Sequence, residues 1–206
     1  MTKQKRFKIL DVGGNYKTYP NATHIIDIRK PLKDCKLKYT QMNICEKTWP
    51  FEDDEFDFVF CGNTIEDLKN PLFVCKEMMR VGKAGRIVVP DILTECTKGV
   101  DSWIFNKKYA GFYHHRWLIA IENGKIELIP KTPIVSIFDW TGHISKEEKK
   151  KHFYAIFDWK DDFEVEEWVI SDWNRIYELL SKCFGIDPLG RYADKGMLKI
   201  FKNKEG

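Results

Sequence analysis

The stretch from Lys8 to Asp27, KILDVGGNYKTYPNATHIID, constrains the fold more than any other. An apolar run (Ile9, Leu10, Val12) breaks at Gly13-Gly14, and a second apolar run, Thr23 to Ile28, carries Asp27 near its end. Short runs of this kind, bounded by turn residues, are buried strands. Glycines at a strand exit let the backbone pass close to another group. Two parallel strands of this type would place the glycines and Asp27 at the carboxyl edge of a sheet, where open α/β sheets bind ligands.

Further strand signals follow. Tyr39 to Cys45 is a third short candidate, Phe56 to Cys61 a fourth ending at Gly62-Asn63, and Arg86 to Pro90 a fifth. Between the last two, Ile65, Leu68, Leu72, Cys75, Met78 and Met79 recur at helical steps, with Asn70-Pro71 as the N-terminal signal. Strands alternating with crossovers predict a mainly parallel sheet over residues 1–92. Beyond Ile92 the pattern turns β-rich. Trp117–Ile121 and Lys125–Ile129 flank Asn123-Gly124, a hairpin signal, and Phe153–Trp159 and Phe163–Ile170 suggest a second hairpin. Ser171 to Cys183 has a capping serine and apolar Trp173, Ile176, Leu179 and Leu180, which predicts a helix ending near Gly185. Met197–Phe201 is expected to close an edge of the main sheet. The whole, residues 1–206, is expected to be one α/β domain: residues 1–92 as a cofactor half, 93–206 as a substrate lobe and sheet-closing elements.

Composition narrows the function classes. At 206 residues and 43% apolar content, the chain can bury one substantial core. Its 34 basic and 31 acidic residues nearly cancel, so neither nucleic acid nor a membrane surface is indicated. No apolar run approaches the roughly 20 residues that span a bilayer, and MTKQKRFKIL lacks a leader pattern, so a cytoplasmic location is expected. The six cysteines form no CxxC pair and read as reduced thiols.

The spacing in the opening stretch distinguishes cofactor classes. A dinucleotide fingerprint needs GxGxxG opening a helix, but Gly13-Gly14 runs into NYKTYP, with no third glycine and no room for an ordinary helix before Thr23. A dinucleotide pyrophosphate would lose its usual helix N-terminus, which leaves a nicotinamide-dependent oxidoreductase as the weaker alternative.

Three blocks in order, ILDVGG with Asp27 downstream, WPFEDDEFDFVFCGNTIEDLKNP (Trp49 to Pro71) and CKEMMRVGKAGRIVVP (Cys75 to Pro90), resemble the class I S-adenosylmethionine-dependent methyltransferases, particularly methyltransferase type 11. The resemblance covers roughly residues 8–92 and implies a Rossmann-like sheet with S-adenosyl-L-methionine as cofactor. It assigns Asp11, Gly13 and Gly14 to the methionine end, Asp27 to the ribose and Ile28 to the adenine. Asn43, beside Ile44, stands where the family has an acid meeting the adenine amino group, and Cys61 and Asn63 fall where the cofactor is lined. The sequence departs from the family in Asn43 and in the shortened first crossover, over which Tyr16 or Tyr19 would have to cover the pocket. A catalytically inactive binding module is therefore a rival reading.

In the second half, His114, His115 and Arg116, between Gly111-Phe112-Tyr113 and Trp117, form the densest polar and aromatic constellation, a histidine base and an anion-holding guanidinium being the natural roles. Adjacent histidines on a strand would point apart, so no metal site is expected. The expected reaction is methyl transfer to a small or glycan-like acceptor, a step that asks mainly for alignment and exclusion of water.

Overall fold

The computed structural model describes residues 6–101, 109–137, 147, 153–169, 174–176 and 178–179. In chain order come β1 (Ile9–Val12), β2 (His24–Asp27), β3 (Lys38–Gln41), β4 (Phe58–Gly62), a 3-10 turn (Ile65–Asp67), α1 (Pro71–Val81), β5 (Ala84–Pro90) and α2 (Ile92–Glu95). After these come β6 (Trp117–Glu122), β7 (Lys125–Pro130), α3 (Pro133–Ile137), β8 (Tyr154–Lys160) and β9 (Glu164–Glu167).

Among the described residues one sheet has the order β3-β2-β1-β4-β5-β8, parallel except for β8. The chain steps outward from β1 through β2 to β3, then returns to the other side of β1 as β4. The carboxyl ends of β1 and β4 thus flank the switch point, the position at which such sheets form a ligand crevice. All four residues of β1 and all four of β2 are buried, as strands covered on both faces must be.

The second and third sequence blocks interlock. Trp49, 2% exposed, donates its backbone N–H to Glu77 at 2.6 Å and its indole N–H to the Ile44 carbonyl at 3.1 Å. From the last turn of α1, Arg80 donates to Glu77, to Asp53 and to the carbonyls of Phe51 and Trp49. The family-like "E-x-x-R-V" ending of the helix therefore fastens the WPFED turn to α1. At the other end of α1, Asn70 caps as expected, accepting from the Phe73 N–H at 3.1 Å.

The β6–β7 hairpin turns at Asn123 and Gly124, both at positive φ (52° and 77°), as the Asn-Gly signal predicts. Both of its faces are buried, which explains why apolar residues occupy both faces of its strands. Trp117, Ile119, Ile126 and Leu128 join the main core, while Leu118, Ala120 and Ile129 pack with Ile92, Leu93, Cys96, Val135, Ile176 and Leu179. Buried Glu127, on the second face, is met by the Arg175 guanidinium at 2.6 and 3.0 Å.

The expected second hairpin does not form. β8 instead runs antiparallel along β5 from Ala84↔Lys160 to Pro90↔Tyr154, and β9 pairs parallel with β7 in a separate three-stranded sheet. The reason lies in packing across the main sheet: Trp159 lies over Gly85, where a Cβ would come 2.7 Å from the indole, and Phe157 is buried beside it. The Asp161 N–H donates to the Lys83 carbonyl, so the turn after β8 is anchored to β5 rather than closing a hairpin. β3 also ends earlier than expected, at Gln41, so Asn43 lies beyond the strand. Residues 174–176 and 178–179 are helical, with Ile176 and Leu179 buried. The predicted start and end of that helix, and the strand at 197–201, lie outside the described residues. Cys35, Cys45, Cys61, Cys75 and Cys96 are free thiols, as expected, and no described helix is long and apolar enough to cross a membrane.

Candidate functional site

The crevice begins where β1 ends. Gly13 has φ +77°, donates its N–H to the Ile26 carbonyl at 2.9 Å, and approaches Thr64 so closely that a Cβ would lie 2.4 Å from the hydroxyl. Only glycine satisfies both conditions. At Gly14 a Cβ would lie 2.0 Å from the Asp11 carboxylate. Asp11 itself is 1% exposed and accepts from the Tyr19 N–H at 2.6 Å. Burial pushes its carboxyl up to about 6; the Tyr19 hydrogen bond works against that and the charge of Asp27 adds to it. Asp11 thus braces the 13–23 loop from behind. That loop contains turns and no helix, as its length requires, and the Tyr19 ring covers Phe60 at a centroid distance of 4.2 Å.

At the end of β2, Asp27 is 3% exposed. One carboxylate oxygen accepts from the Arg29 N–H at 2.7 Å; the other, Oδ2, is buried and has no hydrogen-bond partner. A buried acceptor left open is costly unless something else meets it. Asn43 accepts from the Cys45 N–H at 3.1 Å in a turn that follows β3, with buried Ile44 beside it. Asn63, at φ 48°, leaves β4 and donates its N–H to the Val88 carbonyl at 2.8 Å. Together these ends enclose a cleft of about 710 Å³. Of the sequence-predicted residues, Gly13, Asp27, Ile28, Asn43, Ile44 and Asn63 line it; Asp11, Gly14 and Cys61 lie behind it. Tyr16 and Tyr19 line it too, as the short crossover required. Thr64, Asp67 and Tyr154 also line it without having been singled out in the sequence.

The histidine pair departs from expectation. His114 and His115 precede β6 in a turn rather than lying on a strand, and their rings meet edge to face at 4.5 Å. His115 is buried. Its Nδ1 lies 2.6 Å from Glu95 Oε1, and the other oxygen of Glu95 takes the Lys131 ammonium. The Nε2 atoms of both histidines lie 3.9 Å from Asp67 Oδ1. Burial works to lower the His115 pKa, but the hydrogen bond and charge of Glu95, with Glu66 and Asp67, raise it overall. Glu66 is 1% exposed with neither carboxylate oxygen hydrogen-bonded, and burial pushes it up to about 7. Arg116 donates its backbone N–H to the Glu66 carbonyl at 2.8 Å, and its side chain is exposed. None of the three predicted residues lines the cleft, yet Asp67 belongs to both groups, so the cleft and the histidine cluster are contiguous. Glu66, Asp67 and Glu95 carry no sequence signal at their positions: they sit in or beside short helical turns where acidic residues are ordinary.

Residues 17–89 match the family model described as a methyltransferase domain. This bears out the resemblance read from the sequence, and S-adenosylmethionine is the cofactor that the match implies. No curated protein matches the chain. Among solved structures it is similar to a S-adenosylmethionine-dependent methyltransferase from Aquifex aeolicus (20% identity, 42% of this chain and 57% of that one, TM-score 0.33). It is also similar to enzymes of the same description from Mesorhizobium loti (10%, 60% and 56%, TM-score 0.36) and Clostridium acetobutylicum (11%, 84% and 71%, TM-score 0.33). The chain spans about half the length of the first solved structures it matches.

Proposed function

We propose that this chain is a cytoplasmic S-adenosylmethionine-dependent methyltransferase acting on a small or glycan-like acceptor. The observation that carries the reading is the Asp27 carboxylate: buried, open at Oδ2, and lining a cleft at the carboxyl ends of β1, β2 and β4. A ribose hydroxyl is a donor that suits such an acceptor. Gly13, with Asp11 and Gly14 behind it, shapes the loop for the methionine end; Ile28, Asn43 and Ile44 form the adenine side. Cys61 supports Asn63 at the exit of β4, next to the reacting end. When bound, the cofactor supplies a methyl group already made electrophilic by its sulfonium. The protein's part is to align the acceptor with that group and to keep water away. Residues 1–92 hold the cofactor and residues 93–206 bring the acceptor, the two acting as one unit. On the acceptor side, exposed Arg116 offers a planar fork for an anionic group, while His114 and His115 face the acceptor oxygen from beside Asp67.

The shortened 13–23 loop argues against a nicotinamide dinucleotide, since it has no helix N-terminus for a pyrophosphate. Calorimetric titration of the whole chain with S-adenosylmethionine, S-adenosylhomocysteine and NAD tests the proposal. Saturable binding of the first two is expected. Binding of NAD alone would sink the reading, and binding of none would make the chain an inactive module.

A further inference from the structure

We infer that Asp67, His114 and His115 form a binding site for one divalent first-row transition ion at the mouth of the cleft. Among the described residues these three offer one ligand atom each, all within 4.8 Å of one another. Two imidazoles and a carboxylate are a donor set such ions take, with positions left open for other ligands.

Three features of the arrangement favour an ion over a chance meeting of side chains. The first is the orientation of His115. Its Nδ1 is held by Glu95 at 2.6 Å, so Nε2 is the nitrogen turned toward Asp67. A carboxylate on the far nitrogen is the usual support for a metal-bound histidine, fixing its tautomer and its ring. Glu95 is itself fixed by Lys131. The second is adjustability. Ligand atoms around a tetrahedral ion about 2.0–2.1 Å from each stand about 3.3 Å apart, whereas both histidine nitrogens now stand 3.9 Å from the Asp67 oxygen. The remaining approach falls to His114 and Asp67, which are solvent-exposed at 48% and 42%, while buried His115 stays as the anchor. The third is a neighbouring open acceptor. Glu66, 1% exposed and without a hydrogen-bond partner at either oxygen, adjoins Asp67 in the chain.

Such an ion sits where cleft and histidine cluster share Asp67, so its open positions face the acceptor side. There it would hold an acceptor hydroxyl or carboxylate oxygen, which narrows the acceptor to oxygen-bearing molecules. This role rests on the methyltransferase reading; the binding of the ion does not.

The test is a titration of the purified, chelator-treated whole chain with cobalt(II) and zinc(II), followed by calorimetry and by visible absorption of the cobalt form. One equivalent of each ion is expected, with cobalt bands of a site holding nitrogen and oxygen donors. His114→Ala and Asp67→Asn, both at exposed side chains, should each weaken binding at least tenfold, and Asp27→Asn should leave it unchanged. The inference is overturned by an absence of saturable binding, or by binding that survives both substitutions, which would place the ion on other groups such as the thiols. Loss of ion binding with cofactor binding intact would remove the metal site alone. Ion binding without any affinity for S-adenosylhomocysteine would remove the methyltransferase reading alone.

Discussion

Asp27→Asn is the most direct perturbation of the cleft. The substitution is nearly isosteric, and the retained amide oxygen can still accept from the Arg29 N–H, now 2.7 Å from the carboxylate, so β2 and the turn after it should stay in place. What changes is Oδ2, the buried oxygen that has no partner within the protein. In the variant an NH2 donor replaces it, facing a ribose hydroxyl that needs an acceptor. A hydrogen bond to a charged acceptor contributes about 1.5–3 kcal/mol, which corresponds to a loss of roughly 10- to 150-fold in affinity. Calorimetric titration with S-adenosylhomocysteine measures it, alongside a thermal melt to establish that the variant is folded. A folded Asp27→Asn protein that binds within about threefold of wild type would refute the ribose assignment and, with it, the argument from the open oxygen.

Two further predictions concern Asp11, behind the cleft, and Arg80, at the end of α1. Asp11 has its carboxyl raised from 3.8 to about 6 by burial, so the native state holds this proton more tightly than the unfolded chain does. Its contribution to stability is therefore complete below pH 4 and is lost as pH rises through about 6, by on the order of 3 kcal/mol. Asp11→Asn, which keeps an acceptor for Tyr19, should melt higher than wild type at pH 7.5 and equal to it near pH 4; a difference that does not change with pH would contradict the burial argument. Arg80→Ala removes the fork that binds Glu77, Asp53 and two carbonyls and leaves the mostly buried Glu77 carboxylate with only the Trp49 N–H. A loss of about 2–4 kcal/mol in urea unfolding is expected, and a change under about 0.5 kcal/mol would mean that the interlock contributes little.

Much of the cleft is legible in the sequence because its parts are strand ends. A buried strand announces itself by its run of apolar residues, and the residue just beyond it is necessarily at a sheet edge. Gly13, Asp27 and Asn63 are found this way without knowledge of any contact. The same reasoning places Asp11 and Gly14 at the edge too, but not whether they face the cleft or lie behind it. That depends on how the 13–23 loop folds back, with Tyr19 hydrogen-bonded to Asp11 and its ring on Phe60. The two runs at 153–159 and 163–170 depart from a hairpin for a related reason. Two apolar runs separated by a short polar turn look like a hairpin, yet the space beside Gly85 draws Trp159 to β5, and Phe163 follows it at 5.4 Å while the chain crosses to β7.

The sequence by itself determined the parallel α/β core, the helix-free first crossover and the positions of the cleft's strand-end residues, because each of these follows from periodicity, turn chemistry or chain length within a short window. Only the tertiary structure decided which strands β8 and β9 join, and that Asp67, Glu95 and the two histidines converge. Those residues come from three separate segments, and what brings their polar atoms within about 4 Å of one another is the packing of the β6–β7 hairpin against the main sheet and against α2. No local pattern encodes that packing, since it depends on which apolar faces remain uncovered once the parallel strands have assembled.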